Sequence, residues 1–359
     1  MNKQISAFKN MTRLLTNRTL KRNQLTRTRY ARETVPMKSF HAAVLGIAVL
    51  VGCNRTDTKP TEQTTQFQLV KQPNRAVSLV EARKGFKTKL PPNRSAKEQV
   101  PEPPPELFRT VRYDSPVGKL AAYLSVDPND GKKHPAIIWL TGGDCNSIGD
   151  VWTDAPASND QTAVAFRKAG IMMMYPALRG GNDNPGVKEG FLGEVDDVLA
   201  AADFLAKQAF VDPSRIYLGG HSTGGTLVLL VAECSDRFRA VFSFGPVGRV
   251  AGYGPEYLPF DTTSARELEL RDPIRWLHAI KSPVFVVEGE NSPGNVNALR
   301  EMEQASSNPQ VRFLAVSGAD HFSILAPTTQ FIARKLVSDD GPATHLAIAA
   351  QELNKLFAR

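Results

Sequence analysis

The feature that most constrains this chain is Ser222, which lies in a glycine-rich stretch reading Gly-His-Ser-Thr-Gly-Gly over residues 220–225. Residues 215–219 before it have the character of a short buried strand, and residues 225–232 after it are apolar enough for a buried helix. A serine on so sharp a turn has a strained backbone and an exposed hydroxyl, and glycines leave room for the neighbouring chain. The pattern predicts that Ser222 is a nucleophile; the alternative is a glycine-rich turn whose serine only caps the helix.

The positive charge of the chain is confined to its beginning. The formal net charge is +8, and residues 1–52 contain ten Lys or Arg against one acidic residue, which amounts to +9. The remaining residues therefore carry a net charge of −1. Because the basic residues are concentrated in a leader, the body of the chain gives no electrostatic reason to expect a nucleic-acid partner.

The leader has the organisation of a secretory signal. A short basic segment beginning at Met37 precedes the apolar residues 42–51, and Gly52 and Cys53 follow. An apolar run of this length is too short to span a bilayer, which takes about 20 residues. The ending Leu-Val-Gly-Cys resembles the lipobox of bacterial lipoproteins, which implies that Cys53 is lipidated. On this interpretation either Met37 is the true start, or residues 1–36 are an unusually long basic n-region of the signal. The rival interpretation is an organelle transit peptide, because residues 1–32 are Arg-rich and contain no acidic residue.

Residues 53–106 are predicted to be a tether between this signal and a folded domain. They are rich in Thr, Gln, Lys and Pro and end in a proline-rich run over residues 101–105, a composition typical of extended, semi-rigid linkers. Only residues 76–80 have the apolar character of a strand that could dock on the domain. From residue 107 to residue 359 the composition is globular, and the length is sufficient for a single domain with one core.

Strand-like and helix-like segments alternate through residues 107–359. That alternation predicts an α/β fold with a mostly parallel central sheet and helices on both faces. An opening hairpin is predicted over residues 107–124, and the irregular residues 246–280 after the sixth strand are expected to form a small lid-like insertion. Residues 341–359 are predicted to form an additional amphipathic helix that packs on the domain.

Several motifs occur in the order typical of one hydrolase group. They are Arg179 with two following glycines, Asp197, an Asp-Pro-Ser-Arg-Ile run over residues 212–216, and the serine motif itself. With these motifs, residues 107–337 resemble the catalytic domain of the prolyl oligopeptidase and dienelactone hydrolase group, which implies the α/β-hydrolase fold and a serine hydrolase. Two departures stand out: Thr141 replaces a histidine that often precedes Gly-Gly, and the tether is too short for the β-propeller of true oligopeptidases.

The resemblance also implies where further catalytic groups lie. In this fold two backbone N–H groups form the oxyanion hole. One comes from the loop after a buried strand, here the strand at residues 136–140, which implies Gly143. The other comes from the residue after the nucleophile, which implies Thr223. The base follows the last strand, and His321 is the histidine of six that is placed there. The other five lie in the leader, at the wrong end of the sheet, next to Ser222 or on predicted helices (His41, His134, His221, His278 and His345).

The acid that would orient His321 has two equal candidates. In the resembled group it is commonly the Asp of a His-Gly-x-x-Asp motif after the penultimate strand, but this chain reads Glu-Gly-Glu-Asn-Ser over residues 288–292. Ser292 therefore occupies the Asp position. Glu288 or Glu290 could take the role, because a glutamate can hold an imidazole tautomer as an aspartate does. A third possibility is that neither of them serves.

Together these inferences predict a serine hydrolase at the cell envelope that acts by acyl transfer and requires no cofactor and no metal. An ester is the first expectation for its small-molecule substrate, since no propeller or second domain is visible to select peptides; a peptide is the second. A catalytically inactive envelope lipoprotein with a hydrolase fold is the alternative from a different class. In each case lipidated Cys53 would hold the protein at a membrane.

Overall fold

The computed structural model describes residues 77–90 and 98–358. The predicted signal, Cys53 and the first part of the predicted tether lie outside these residues. Within the described part of the chain, no helix combines the length and the apolar character needed to cross a membrane.

An eight-stranded sheet is the framework of residues 107–359. Its strands, in chain order, are β1 (Phe108–Ser115), β2 (Gly118–Ser125), β3 (His134–Leu140), β4 (Met172–Pro176), β5 (Val211–His221), β6 (Val241–Phe244), β7 (Val284–Gly289) and β8 (Val311–Val316). Their spatial order is β1-β2-β4-β3-β5-β6-β7-β8. Strand β2 pairs antiparallel with β1 and β4, and all other neighbours pair parallel. This confirms the predicted opening hairpin and the mostly parallel sheet.

Helices cover both faces of this sheet, as predicted. They are α1 (Leu79–Arg83), α2 (Val164–Lys168), α3 (Glu194–Leu205), α4 (Thr223–Cys234), α5 (Ala265–Glu269), α6 (Val296–Ala305), α7 (Leu325–Val337) and α8 (Ala350–Asn354). Successive residues of a strand point to opposite faces. Accordingly, Ile138 joins a core with residues of α1, α3, α4 and α6, whereas Ile137 joins a second core with residues of α2, α7 and α8.

The possible strand over residues 76–80 is not found: within the described residues from 77 onward, a short helix begins at Leu79 instead. Ser78 precedes α1, and its Oγ accepts the N–H of Glu81 at 3.2 Å. A serine followed three residues later by glutamate is a helix-start signal, so the sequence contained this information. Leu79 is fully buried, and Arg83 donates to the carbonyl of Leu192 at 2.7 Å. This part of the predicted tether therefore packs on the domain.

The predicted C-terminal helix is wrong in its extent. Only α8 is α-helical within residues 341–358. The residues before α8 are held as a loop by Asp339, whose carboxylate accepts the hydroxyl of Thr344 at 2.9 Å and the N–H of His345 at 3.1 Å. His345, expected on that helix, lies in this loop. Leu353 of α8 is fully buried, so the short helix does pack on the domain.

The insertion after β6 consists of four short 3₁₀ turns and α5. It packs beside the first turn of α4, where the hydroxyl of Tyr253 lies 2.6 Å from Oγ1 of Thr226. The ring of Tyr253 also stacks on Phe191, with ring centroids 5.6 Å apart. The insertion therefore borders the helix that begins directly after Ser222.

Candidate active site

Ser222 occupies the turn between β5 and α4 at the carboxyl edge of the sheet. Its backbone angles are φ 55° and ψ −114°, a conformation that costs free energy for a residue with a Cβ. Two hydrogen bonds hold the turn: the N–H of Ser222 donates to the carbonyl of Phe244 at 2.7 Å, and its own carbonyl accepts the N–H of Thr226 at 2.9 Å. The strain is thus maintained by neighbouring strand and helix, and it presents a half-buried hydroxyl at the sheet edge.

The glycines around Ser222 are required by close backbone contacts. A Cβ on Gly220 would lie 2.6 Å from the carbonyl oxygen of Gly224. A Cβ on Gly224 would collide with the carbonyl of Leu140, and one on Gly225 with that of Phe244. The glycine pattern seen in the sequence is therefore what allows this turn to pack between β3 and β6.

His321 lies in the loop after β8 and contacts a buried carboxylate. Its Nδ1 is 2.9 Å from Oε2 of Glu288, the penultimate residue of β7, which is fully buried. The Glu288 carboxylate also accepts the N–H of Gly289 at 2.8 Å and the N–H of Asn295 at 3.0 Å. The Glu288 carboxylate acts as the acceptor in these contacts, so Nδ1 of His321 is the donor to it. In the neutral ring the proton therefore lies on Nδ1, and Nε2 is left as the basic nitrogen.

Glu290, the other candidate acid, points away from His321. Its side chain is 37% exposed and forms an ion pair with Arg300 at 2.9 Å. The structure therefore brings Glu288, and not Glu290, to the imidazole.

The elbow and His321 lie side by side. The ring of His321 is 4.5 Å from the ring of His221, centroid to centroid, and His221 is the residue before Ser222. Among the described residues there is no hydrogen bond between Oγ of Ser222 and Nε2 of His321. Such bonds are often long in the absence of substrate and shorten when it binds.

The loop after β3 touches Ser222 and supplies one free N–H. A Cβ on Gly142 would lie 3.1 Å from the Cβ of Ser222, and the Gly142 N–H donates to Oε1 of Gln161 at 2.8 Å. The hydroxyl of Thr223 donates to the carbonyl of Gly143 at 2.9 Å and so fixes that loop. Within residues 77–90 and 98–358, the N–H groups of Gly143 and Thr223 have no acceptor. They are available to a developing oxyanion.

Three residues that build the site were not identified from the sequence: Gly245, Asn295 and Gln161. Gly245 has φ 58°, and a Cβ there would collide with the ring of His321. Asn295 donates from its side chain to the Gly245 carbonyl at 2.8 Å and from its backbone to Glu288. The one available signal was Gly245 itself, which follows directly on the predicted strand at residues 240–244; Asn295 and Gln161 lie in loops without a recognisable motif.

The fold is that of the α/β-hydrolase class, and at the carboxyl edge of its sheet the strained Ser222 turn lies beside His321 and Glu288. Residues 158–331 match the family model of peptidase S9, described as the prolyl oligopeptidase family. This segment contains Ser222, Glu288 and His321, and it agrees with the resemblance inferred from the sequence motifs.

Individual relatives match part of the chain. An uncharacterized peptidase of Bacillus subtilis, YtmA, is 25% identical over 186 residues, covering 46% of this chain and 66% of that protein. Prolyl oligopeptidase A of Amanita bisporigera is 30% identical over 140 residues, covering 36% of this chain and 17% of that protein. The chain thus spans less than two thirds of the length of the curated relatives it matches.

Among solved structures, a puromycin-hydrolyzing peptidase of Mycobacterium tuberculosis is similar, with a TM-score of 0.53 and 22% sequence identity. The similarity covers 65% of this chain and 39% of that one. At this level of identity the similarity shows a shared fold.

Proposed function

We propose that this chain is a serine hydrolase that acts by acyl transfer. The observation that carries the proposal is the buried Glu288–His321 hydrogen bond beside the strained Ser222 turn. In the first half-reaction Nε2 of His321 takes the hydroxyl proton of Ser222, and Oγ attacks the substrate carbonyl carbon. The N–H groups of Gly143 and Thr223 stabilise the resulting oxyanion.

Proton transfers balance over the two half-reactions of the proposed mechanism. Collapse of the tetrahedral intermediate breaks the bond to the leaving group, which receives its proton from the His321 imidazolium and leaves an acyl-Ser222. A water molecule then gives a proton to Nε2 of His321 and attacks the acyl carbon. When this second tetrahedral intermediate collapses, the bond between the acyl carbon and Oγ breaks, the acid product leaves, and Oγ of Ser222 takes its proton back from Nε2 of His321. Glu288 stabilises the imidazolium in both steps without accepting the proton itself.

An ester is the first choice of substrate, and a peptide the second. An alkoxide or phenoxide leaves with less help from a general acid than an amine does, so ester cleavage demands less of this site. The peptidase alternative is favoured by the family match and by relatives whose names describe peptidases. A panel of p-nitrophenyl esters and peptide p-nitroanilides separates the two, since the preferred class gives the higher kcat/KM.

A fluorophosphonate probe tests the nucleophile directly. We expect the native protein to be labelled on Ser222 and the Ser222→Ala variant to remain unlabelled, because the probe phosphonylates only an activated serine. Ser214→Ala is the matched control, since Ser214 is an exposed serine at the opposite end of β5 and should leave labelling unchanged. Equal labelling of Ser222→Ala would exclude Ser222, and a native protein that resists the probe and all substrates would favour the inactive lipoprotein.

We also propose that lipidated Cys53 holds the enzyme at the cell envelope. Support comes from the Leu-Val-Gly-Cys ending of the apolar leader segment. A fatty-acid analogue fed to the producing bacterium should be incorporated into the native protein and not into Cys53→Ala. Incorporation into the variant at the native level would contradict the proposal.

A further inference from the structure

His221, the residue before the proposed nucleophile, is fully buried between the two halves of the site. Its Nε2 lies 2.9 Å from the backbone carbonyl oxygen of His321, and its Nδ1 lies 3.0 Å from Oε1 of Gln161. The same Gln161 oxygen accepts the N–H of Gly142 in the loop that carries the proposed oxyanion-hole donor. One imidazole thus connects the loop of the base with the loop after β3.

Both ring nitrogens of His221 face oxygen acceptors, yet the ring has one proton to donate. Burial and the nearby His321 lower the pKa of His221 to about 3, so the ring is neutral near pH 7. Oε1 of Gln161 is already satisfied by the Gly142 N–H. The carbonyl of His321 has no other donor within the described residues, and a buried carbonyl without a donor is costly. The proton therefore belongs on Nε2.

We propose that His221 is a positioning residue, which donates from Nε2 to the carbonyl of His321 and so holds the base against the Ser222 turn. The inference rests on the proposed function. The role follows from chain order: His221 and Ser222 share one rigid elbow, so a bond from His221 fixes the backbone of His321 relative to the nucleophile. The side-chain bond to Glu288 fixes only the orientation of the His321 ring.

Two substitutions of His221 distinguish the roles of its two ring nitrogens. Glutamine places its amide N–H₂ near the position of Nε2, whereas asparagine reaches only the position of Nδ1. We expect His221→Asn to lower kcat about 100-fold with KM nearly unchanged, because a displacement of the base by about 1 Å costs that much. His221→Gln should restore kcat to within about 10-fold of the native value. His134→Asn, at the opposite end of the sheet, is the matched control and should match the native kcat.

A second measurement does not depend on turnover. Nitrogen-15 NMR of the histidine rings should find the His221 proton on Nε2 in the native protein, and a slowly exchanging proton on Nδ1 of His321. In His221→Asn we expect that His321 proton to exchange at least about 10-fold faster, since local opening exposes it to water.

The outcomes distinguish this proposal from the proposed function. A native protein with its His221 proton on Nδ1 would overturn the positioning role, even if neither variant folds. Native kcat and native His321 exchange in His221→Asn would overturn it as well. Absence of any turnover in the native protein would count against the hydrolase proposal alone, because the location of the His221 proton is measured independently.

Discussion

Glu288→Gln should lower kcat by ~10³-fold or more, because a neutral amide neither holds the His321 tautomer nor stabilises the imidazolium. In the structure the carboxylate of Glu288 accepts from Nδ1 of His321 at 2.9 Å. A glutamine can present its N–H₂ to that nitrogen and thereby move the ring proton to Nε2, which removes the base. Steady-state hydrolysis of the best substrate from the ester and peptide panel, with kcat normalised to the total concentration of folded protein, measures the effect.

Glu290→Gln is the matched control, since it makes the same chemical change two residues away. Its side chain is partly exposed and pairs with Arg300 on the surface, so kcat and KM should stay at their native values. Thermal unfolding of both variants shows whether a lost rate reflects a lost fold. Native activity in Glu288→Gln, or a comparable loss in Glu290→Gln, would exclude Glu288 as the acid.

The two glutamates illustrate why the sequence left the acid open. Side chains two residues apart in a strand point to the same side, so alternation alone places Glu288 and Glu290 together. Strand β7 ends at Gly289, however, and the N–H of Glu290 donates to the carbonyl of Val316 at 2.9 Å. Beyond the end of β7 the Glu290 side chain turns outward. The difference depends on where the strand ends, which is the least predictable part of an element.

Features encoded in one short stretch were the ones that could be predicted. The turn at Ser222 is specified by its own glycines, and the apolar strands of the sheet are specified by their own side chains. Helix α1 was also encoded locally, through Ser78 and Glu81, although the segment was interpreted as a strand. By contrast, Asn295 supports Glu288 only because the loop after β7 folds back onto the end of that strand. No local pattern reports such a contact between separate segments.

Substitution of Asp197 should produce a large loss of stability. Asp197 lies in the first turn of α3, is fully buried, and accepts from the side chain of Arg179 at 2.9 and 3.0 Å and from its backbone N–H at 2.9 Å. Ser115 of β1 donates to the same carboxylate at 2.6 Å. Asp197→Asn removes the carboxylate that accepts two hydrogen bonds from the buried guanidinium and leaves Glu189 as its remaining counter-charge. We expect the free energy of unfolding to fall by about 3–5 kcal/mol, measured by urea denaturation.

Asp203→Asn on the same helix is the control for this experiment. Asp203 pairs with Arg237 at 2.6 Å, but its side chain is 60% exposed, so solvent screens the pair and its loss should cost about 0–1 kcal/mol. The contrast tests burial and not charge alone, because both variants remove one carboxylate from α3. Equal losses in the two variants would mean that Glu189, which also pairs with Arg179 at 2.5 Å, is sufficient to compensate the buried cation. In that case the ion pair between Arg179 and Asp197 would not be required to hold the loop after β4 against α3.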